Sequence, residues 1–245
     1  MNQDIPFLQK GDLIRIVSPA KAIDTDLLLN AQNELEKRGY RVIIGQHAGG
    51  RWNYFSGTDD ERMGDMQEAL DDIECKAILC ARGGYGSVRI VDSLNWAGFL
   101  RDPKWIIGFS DITILLSYLH EQHSIASIHG PMANAFNHDK GMNRYTLSLK
   151  DCIEGKPVHY SAQPHIYNSF GKSTAQVVGG NLSLLAHAIG TNADINTSGK
   201  ILFIEDVGEQ RYNIERMLLQ LKRAGKLHKL KGLVVGGFTD SRDTD

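Results

Sequence analysis

The sequence predicts an α/β protein: an N-terminal, mostly parallel sheet sandwiched by helices, then a second, smaller α/β unit. Short runs rich in Ile, Val and Leu alternate with helically spaced segments as far as Pro157, the pattern of a parallel sheet covered on both faces. Several runs end in glycine or hydroxyl residues that lead directly into helices. From about Val158 to Lys172 the period dissolves into polar and aromatic residues, and it resumes at Ser173. The division is therefore 1–157, a linker over 158–172, and a second unit over 173–245.

Asp12–Val17 reads as the first strand, ended by Ser18-Pro19. Asp24 or Thr25 caps a helix whose Leu28, Ala31 and Leu35 recur on one face, and Gly39 stops it. Arg41–Ile44 is the second strand. Thr58-Asp59-Asp60-Glu61 forms a capping box for a helix with Met63, Met66 and Leu70 inward. Cys75–Cys80 is the third strand and Lys104–Gly108 the fourth, followed by a helix apolar on most faces and hence buried. Ile125–Ile128 makes a fifth, and Met142–Ile153 has helical spacing. In the second unit, Ser173–Val178 is a strand, and Gly179-Gly180-Asn181 turns into a helix through Leu182, Leu185 and Ile189. Lys200–Ile204 is a buried strand stopping at Glu205-Asp206. A helix through Ile214, Met217, Leu218 and Leu221 leads to a last strand, Leu230–Val235.

Composition narrows the function. The 245 residues are 42% hydrophobic and 23% charged, ordinary for a globular chain with a substantial core. A net charge of -2 gives no electrostatic footprint for nucleic acid or an anionic membrane. No basic, apolar leader opens the sequence, and no run reaches the ~18 apolar residues of a spanning helix, so a cytoplasmic protein is expected. The three cysteines, Cys75, Cys80 and Cys152, lie in or near apolar runs and read as reduced core thiols, not a disulfide frame or metal site.

Chemistry concentrates at strand ends. Ser110 follows the apolar run to Gly108 and precedes a helix, a strand–turn–helix junction that sets a side chain at the carboxyl edge of a sheet. It is either a nucleophile or the helix cap, and Ile112 stands where such elbows usually carry glycine. Ala81-Arg82-Gly83-Gly84-Tyr85-Gly86 is a phosphate cradle, an oxyanion hole or a tight turn; its spacing does not fit the dinucleotide fingerprint. His129 ends its strand as a base, a substrate ligand or a structural imidazole. Glu205-Asp206 either orients an imidazole or forms a solvated turn, and Gly179-Gly180-Asn181 either permits a close backbone approach or is a plain turn.

Four stretches occur in a specific order: Ala81–Gly86, Gly108–Thr113, Gly179–Leu182, and Phe203–Glu209 with Ile214–Leu218. Together they resemble the L,D-carboxypeptidase family of serine peptidases, the cytosolic murein tetrapeptide carboxypeptidases, over nearly the whole chain. The resemblance implies Ser110 as nucleophile, Glu205 as the acid of a Ser–His–Glu triad, and the backbone amides of Gly84 and Asp111 as oxyanion hole. Arg82, beside that hole, is assigned to the substrate's terminal carboxylate. The substrate implied is the tetrapeptide L-Ala–D-Glu–meso-diaminopimelate–D-Ala of cell-wall recycling, cleaved at its terminal D-alanine without metal or organic cofactor. Homodimers are common in the family; the residues themselves are silent on that point. The family's triad histidine follows the stretch matching Gly236–Asp240 by some tens of residues, and none of the nine histidines here occupies its motif. The expectation is thus a truncated or inactive copy, its second unit incomplete, nearly inert alone and baring apolar surface. Two further readings stay open: the same hydrolysis giving self-immunity to a peptide–nucleotide antibiotic, and a non-catalytic homologue that binds a ligand on its glycine-rich turns.

Overall fold

Residues 5–243 are described by the structure, a computed structural model. β1 (Leu13–Val17), β2 (Arg41–Ile44), β3 (Cys75–Cys80), β4 (Trp105–Gly108) and β5 (Ile128–His129) form one sheet in the order β2-β1-β3-β4-β5. Every neighbouring pair is parallel. β3 is central and almost wholly buried, as an unbroken apolar run in a doubly covered sheet should be. α1 (Thr25–Lys37) turns Leu28, Ala31 and Leu35 inward. α2 (Asp59–Asp71) starts at the capping box of Thr58 and Glu61, each side chain taking the other's backbone amide. α3 (Ala97–Arg101), α4 (Thr113–His123) and α5 (Arg144–Ile153) complete the cover. One core, around Met66, Leu70, Phe99 and Leu115, lies on one face of the sheet, and another, around Leu28, Leu35, Phe136 and Leu149, on the other.

The second sheet is parallel and smaller, β6 (Val177–Asn181), β7 (Ile201–Val207) and β8 (Gly232–Thr239) in that order. α6 (Leu182–His187) and α7 (Arg211–Arg223) cover one face through Leu182, Leu185 and Leu221, packed on Leu202 and Ile204. The α/β class and the pair of sheets are those expected. Several boundaries differ. β5 begins three residues later than Ile125. β6 runs through Gly179-Gly180-Asn181 rather than ending before them, because a side chain at Gly179 would sit 1.9 Å from the Phe203 carbonyl. β7 does not stop at Glu205-Asp206: Glu205 faces one side and buried Asp206 the other, so both belong to the pleat. On β8, Leu233, Val234 and Val235 are 48%, 49% and 59% exposed.

α4 joins the two units. Asn196 donates its amide to Glu121 (2.9 Å), Gln122 donates to the Asn192 carbonyl (2.8 Å), and Ala188 and Ala193 enter the first unit's core. Among the described residues no helix is long and apolar enough to cross a membrane. Cys75 and Cys80 are buried and Cys152 half-buried; all are free.

Candidate active site

β4 ends at Gly108, where a side chain would strike Ile112 at 2.8 Å. Phe109 is extended, and Ser110 then takes φ +60°, a left-handed conformation that costs a non-glycine residue about 1–2 kcal/mol. Ser110 does not cap the helix: no side-chain cap bond is made there, and the N-cap position of α4 falls on Ile112. Its hydroxyl instead faces the glycine-rich turn, since a Cβ on Gly83 would lie 3.0 Å from Ser110 Cβ and 3.1 Å from its Oγ.

That turn is fastened from below and from the side. Gly84 and Gly86 hold φ +115° and +150°. A side chain at Gly86 would meet Arg62 Nη1 at 2.8 Å. The fully buried Arg62 guanidinium donates to the carbonyls of Pro19, Gly57 and Gly86 and pairs with Asp59. Asp111 Oδ2 accepts the Ser87 amide at 2.8 Å, tying the residue after the serine to the far end of the turn. Among the described residues the amides of Gly84 and Asp111 donate to no protein acceptor. Arg82 is half-buried and donates to the Ala22 carbonyl at 3.4 Å.

The second unit brings Glu205 to the same crease. Thr113, three residues past the serine, accepts the Asn181 amide at 3.1 Å, and Asn181 lies opposite Glu205 in the β6–β7 register. A side chain at Gly180 would stand 2.7 Å from Thr113 Oγ1. The Gly-Gly-Asn stretch therefore serves a close approach between the two units. Buried Asp206 accepts from Asn181 Nδ2 and from the amides of Ser183 and Val207, each at 2.9 Å.

His129, on β5 beside Gly108, points its Nε2 at Glu205 Oε1 from 3.9 Å. Its ring meets Phe203 and Phe109 edge-on, with centroids 5.2 and 6.0 Å away. His129 Nδ1 and Glu205 Oε1 are buried with no partner among the described residues. Burial lowers the His129 pKa to about 4, keeping the imidazole neutral. Burial, reinforced by Asp206 and partly offset by Asn181, raises the Glu205 carboxyl to about 7. A cavity of about 270 Å³ lies behind this pair, lined by Ser117, Val178 and Phe203 among others. No histidine is hydrogen-bonded to Ser110 among the described residues, and no cluster of His, Cys, Asp and Glu there is arranged to hold a metal.

Sequence reasoning placed Ser110, Gly84, Asp111, Arg82 and Glu205 at strand ends, and the structure gathers the elements that carry them along the carboxyl edges of β3, β4 and β7. It missed the supporting residues. Arg62, in the first turn of α2, belongs to no motif, and its place is set by the loop carbonyls it holds together. The Gly179-Gly180-Asn181 and Glu205-Asp206 stretches are legible as either functional strand ends or plain turns, but the hydrogen bond that joins Asn181 to Asp206 is not. Lys21 and Tyr54, which flank Gly84, lie in loops without a motif.

A two-domain α/β protein with a strained serine facing a glycine-rich turn, and a buried carboxylate approaching from a second sheet, belongs to the hydrolase class. Residues 14–130 match the LD-carboxypeptidase N-terminal domain and residues 174–245 the LD-carboxypeptidase C-terminal domain. The chain belongs to the LD-carboxypeptidase family. It is 37% identical over 244 residues to a probable murein peptide carboxypeptidase of Bacillus subtilis, covering 97% of this chain and 76% of that protein. With the murein tetrapeptide carboxypeptidase of Pseudomonas aeruginosa it shares 32% identity, covering 93% of this chain and 76% of the relative. The crystal structure of muramoyltetrapeptide carboxypeptidase from Oxalobacter formigenes superposes with a TM-score of 0.83 at 31% identity, covering 94% of this chain and 78% of that one. The microcin C7 self-immunity protein MccF, in complex with aspartyl sulfamoyl adenosine, shares the fold, with a TM-score of 0.85 at 22% identity over 96% of this chain and 80% of its own.

Proposed function

We propose that this chain carries the nucleophile, oxyanion hole and triad acid of a serine carboxypeptidase that removes the terminal D-alanine from murein tetrapeptide. The observation that carries the reading is the left-handed Ser110, its hydroxyl turned toward Gly83 and its neighbouring amide unpaired. Ser110 Oγ attacks the carbonyl of the L,D-amide. The amides of Gly84 and Asp111 hold the oxyanion, an arrangement typically worth about 3 kcal/mol per donor. Glu205 orients the imidazole that takes the serine proton and returns it to the departing amine. Arg82 sets a cation on the flank of the hole for an anionic peptide.

The imidazole is the remaining part. His129 is the histidine nearest the acid, but its Nε2 is directed at Glu205 and its Nδ1 toward Gly180. His129 therefore does not stand as the base in this proposal, which assigns to these residues the nucleophile, the oxyanion hole and the acid. Free buried thiols agree with a cytoplasmic site of action.

Mass spectrometry of murein tetrapeptide incubated with the protein, expressed from its whole reading frame, tests the proposal. Loss of one alanine is expected, reduced at least about a thousandfold by Ser110→Ala. Undiminished turnover by that variant would refute the nucleophile. A peptide–nucleotide substrate is the second reading: Trp52 and Tyr85 are 45% and 48% exposed near the glycine-rich turn, aromatic surface against which a base can stack. Comparing kcat/KM for the two substrates separates them.

A further inference from the structure

We infer that Lys21 and the hydroxyl of Tyr54 form a notch that takes the substrate's terminal carboxylate beside the Gly84 amide. The inference rests on the carboxypeptidase reading and adds to it the residue that restricts the enzyme to free peptide ends.

Lys21 lies just past β1, at the carboxyl edge of the strand next to β3. Its amide donates to the Gly83 carbonyl (3.4 Å), and its backbone bridges Phe55. The next amide, of Ala22, donates to the Tyr54 carbonyl at 3.1 Å. Both loops are thereby sewn to the glycine-rich turn. A side chain at Gly84 would lie 2.6 Å from Lys21 Cβ and 2.9 Å from the Tyr54 hydroxyl, so the lysine stem and the phenol pack directly against that residue. Gly83, one position earlier, touches Ser110 in the same way. The contact with the serine and the contact with Lys21 are thus separated by one Cα step, about 3.8 Å. A carboxypeptidase substrate has the same spacing: its free carboxylate stands one residue beyond the scissile carbonyl.

The charge on Lys21 is uncommitted. Among the described residues its Nζ makes no salt bridge and donates no hydrogen bond, and it rests 4.8 Å from the centre of the Tyr54 ring. The neighbouring cations are engaged. Arg62 and Arg89 share Asp59, and Arg82 reaches the Ala22 carbonyl. An ammonium resting on a phenol ring, with the phenolic O–H against the Gly84 backbone, offers charge-assisted hydrogen bonds to a planar anion.

Binding is measurable without turnover, so the test does not depend on the base. Calorimetry with the Ser110→Ala protein compares murein tetrapeptide with the same peptide ending in a carboxamide. The acid should bind at least about tenfold tighter, the scale of one hydrogen bond to a charged group. Lys21→Met should bring that ratio close to one, mainly by weakening the acid, whereas Lys21→Arg should preserve it. Tyr54→Phe should lower it in part, and Arg82→Gln should weaken both peptides alike. A full acid preference in Lys21→Met, or its collapse in Arg82→Gln instead, overturns the assignment while leaving the peptidase reading intact. Failure of the tetrapeptide acid to bind the Ser110→Ala parent contradicts the peptidase reading itself, and with it the notch. Should Lys21→Met not fold, Lys21→Gln makes the same comparison.

Discussion

Ser110 holds φ at +60° without being glycine, and nothing about helix capping requires it. The conformation turns Oγ toward Gly83 and leaves the following amide free, the two features that the proposed mechanism uses. Replacing Ser110 by glycine should therefore stabilise the protein by about 1 kcal/mol, raising Tm by about 2–4 °C for a chain of this size, while abolishing hydrolysis. Ser110→Ala keeps the strain and should leave Tm nearly unchanged. Differential scanning calorimetry of the two variants checks both. An unchanged Tm in Ser110→Gly would mean that the left-handed backbone is not a source of strain. This residue also marks how far sequence carries. Apolar run, glycine, serine, helix is legible as a junction, but whether the serine caps or projects depends on one dihedral angle. The packing of Lys21 against Gly84 is not legible, because the two lie far apart in sequence.

At the scale of elements, the elbow between β4 and α4 and the turn after β3 act as one piece because Asp111 accepts the Ser87 amide. Removing that acceptor strands a buried N–H, so Asp111→Ala should destabilise the protein by about 2 kcal/mol. With the turn no longer held against the elbow, kcat/KM should also fall by more than tenfold. Urea unfolding and the tetrapeptide assay measure the two effects; full activity in a destabilised variant would show that the tie is structural only. Elements with strong periodicity were readable. β2 and β3 have the expected ends, and the Thr58–Glu61 capping box opens α2. The misread elements carry polar or glycine residues inside strands. Gly179 and Gly180 look like turn formers, yet they sit in β6 because Phe203 and Thr113 leave no room for a Cβ. Glu205-Asp206 reads as a strand end, either orienting an imidazole or solvated, yet both residues lie inside β7 with their carboxylates on opposite faces, one toward the crease and one into the hydrogen bonds of Asn181 and Ser183.

Across the whole molecule, the crease between sheets buries two titratable groups with opposite tendencies. His129 is pulled from 6.5 down to about 4, so its neutral form favours folding above pH 6.5, and that contribution is lost as pH falls through 4. Glu205 is pushed from 4.5 up to about 7, so its protonated form favours folding below pH 4.5, and that contribution is lost as pH rises through 7. Each amounts to about 3 kcal/mol over its span, and between 4.5 and 6.5 their slopes oppose. The unaltered protein should therefore show a flat Tm across that interval. Glu205→Gln should lose stability as pH drops from 6.5 to 4.5, and His129→Gln as pH climbs from 4.5 to 7. Parallel profiles for both variants would place the two groups outside a common buried crease.

The most direct measurement is the location of a covalent adduct. A fluorophosphonate probe, applied to the protein expressed from its whole reading frame and mapped by tandem mass spectrometry, should mark the peptide containing Ser110. Both the adduct and D-alanine release should vanish in Ser110→Ala. D-Alanine release that persists in that variant, with the probe on another residue, would contradict the account.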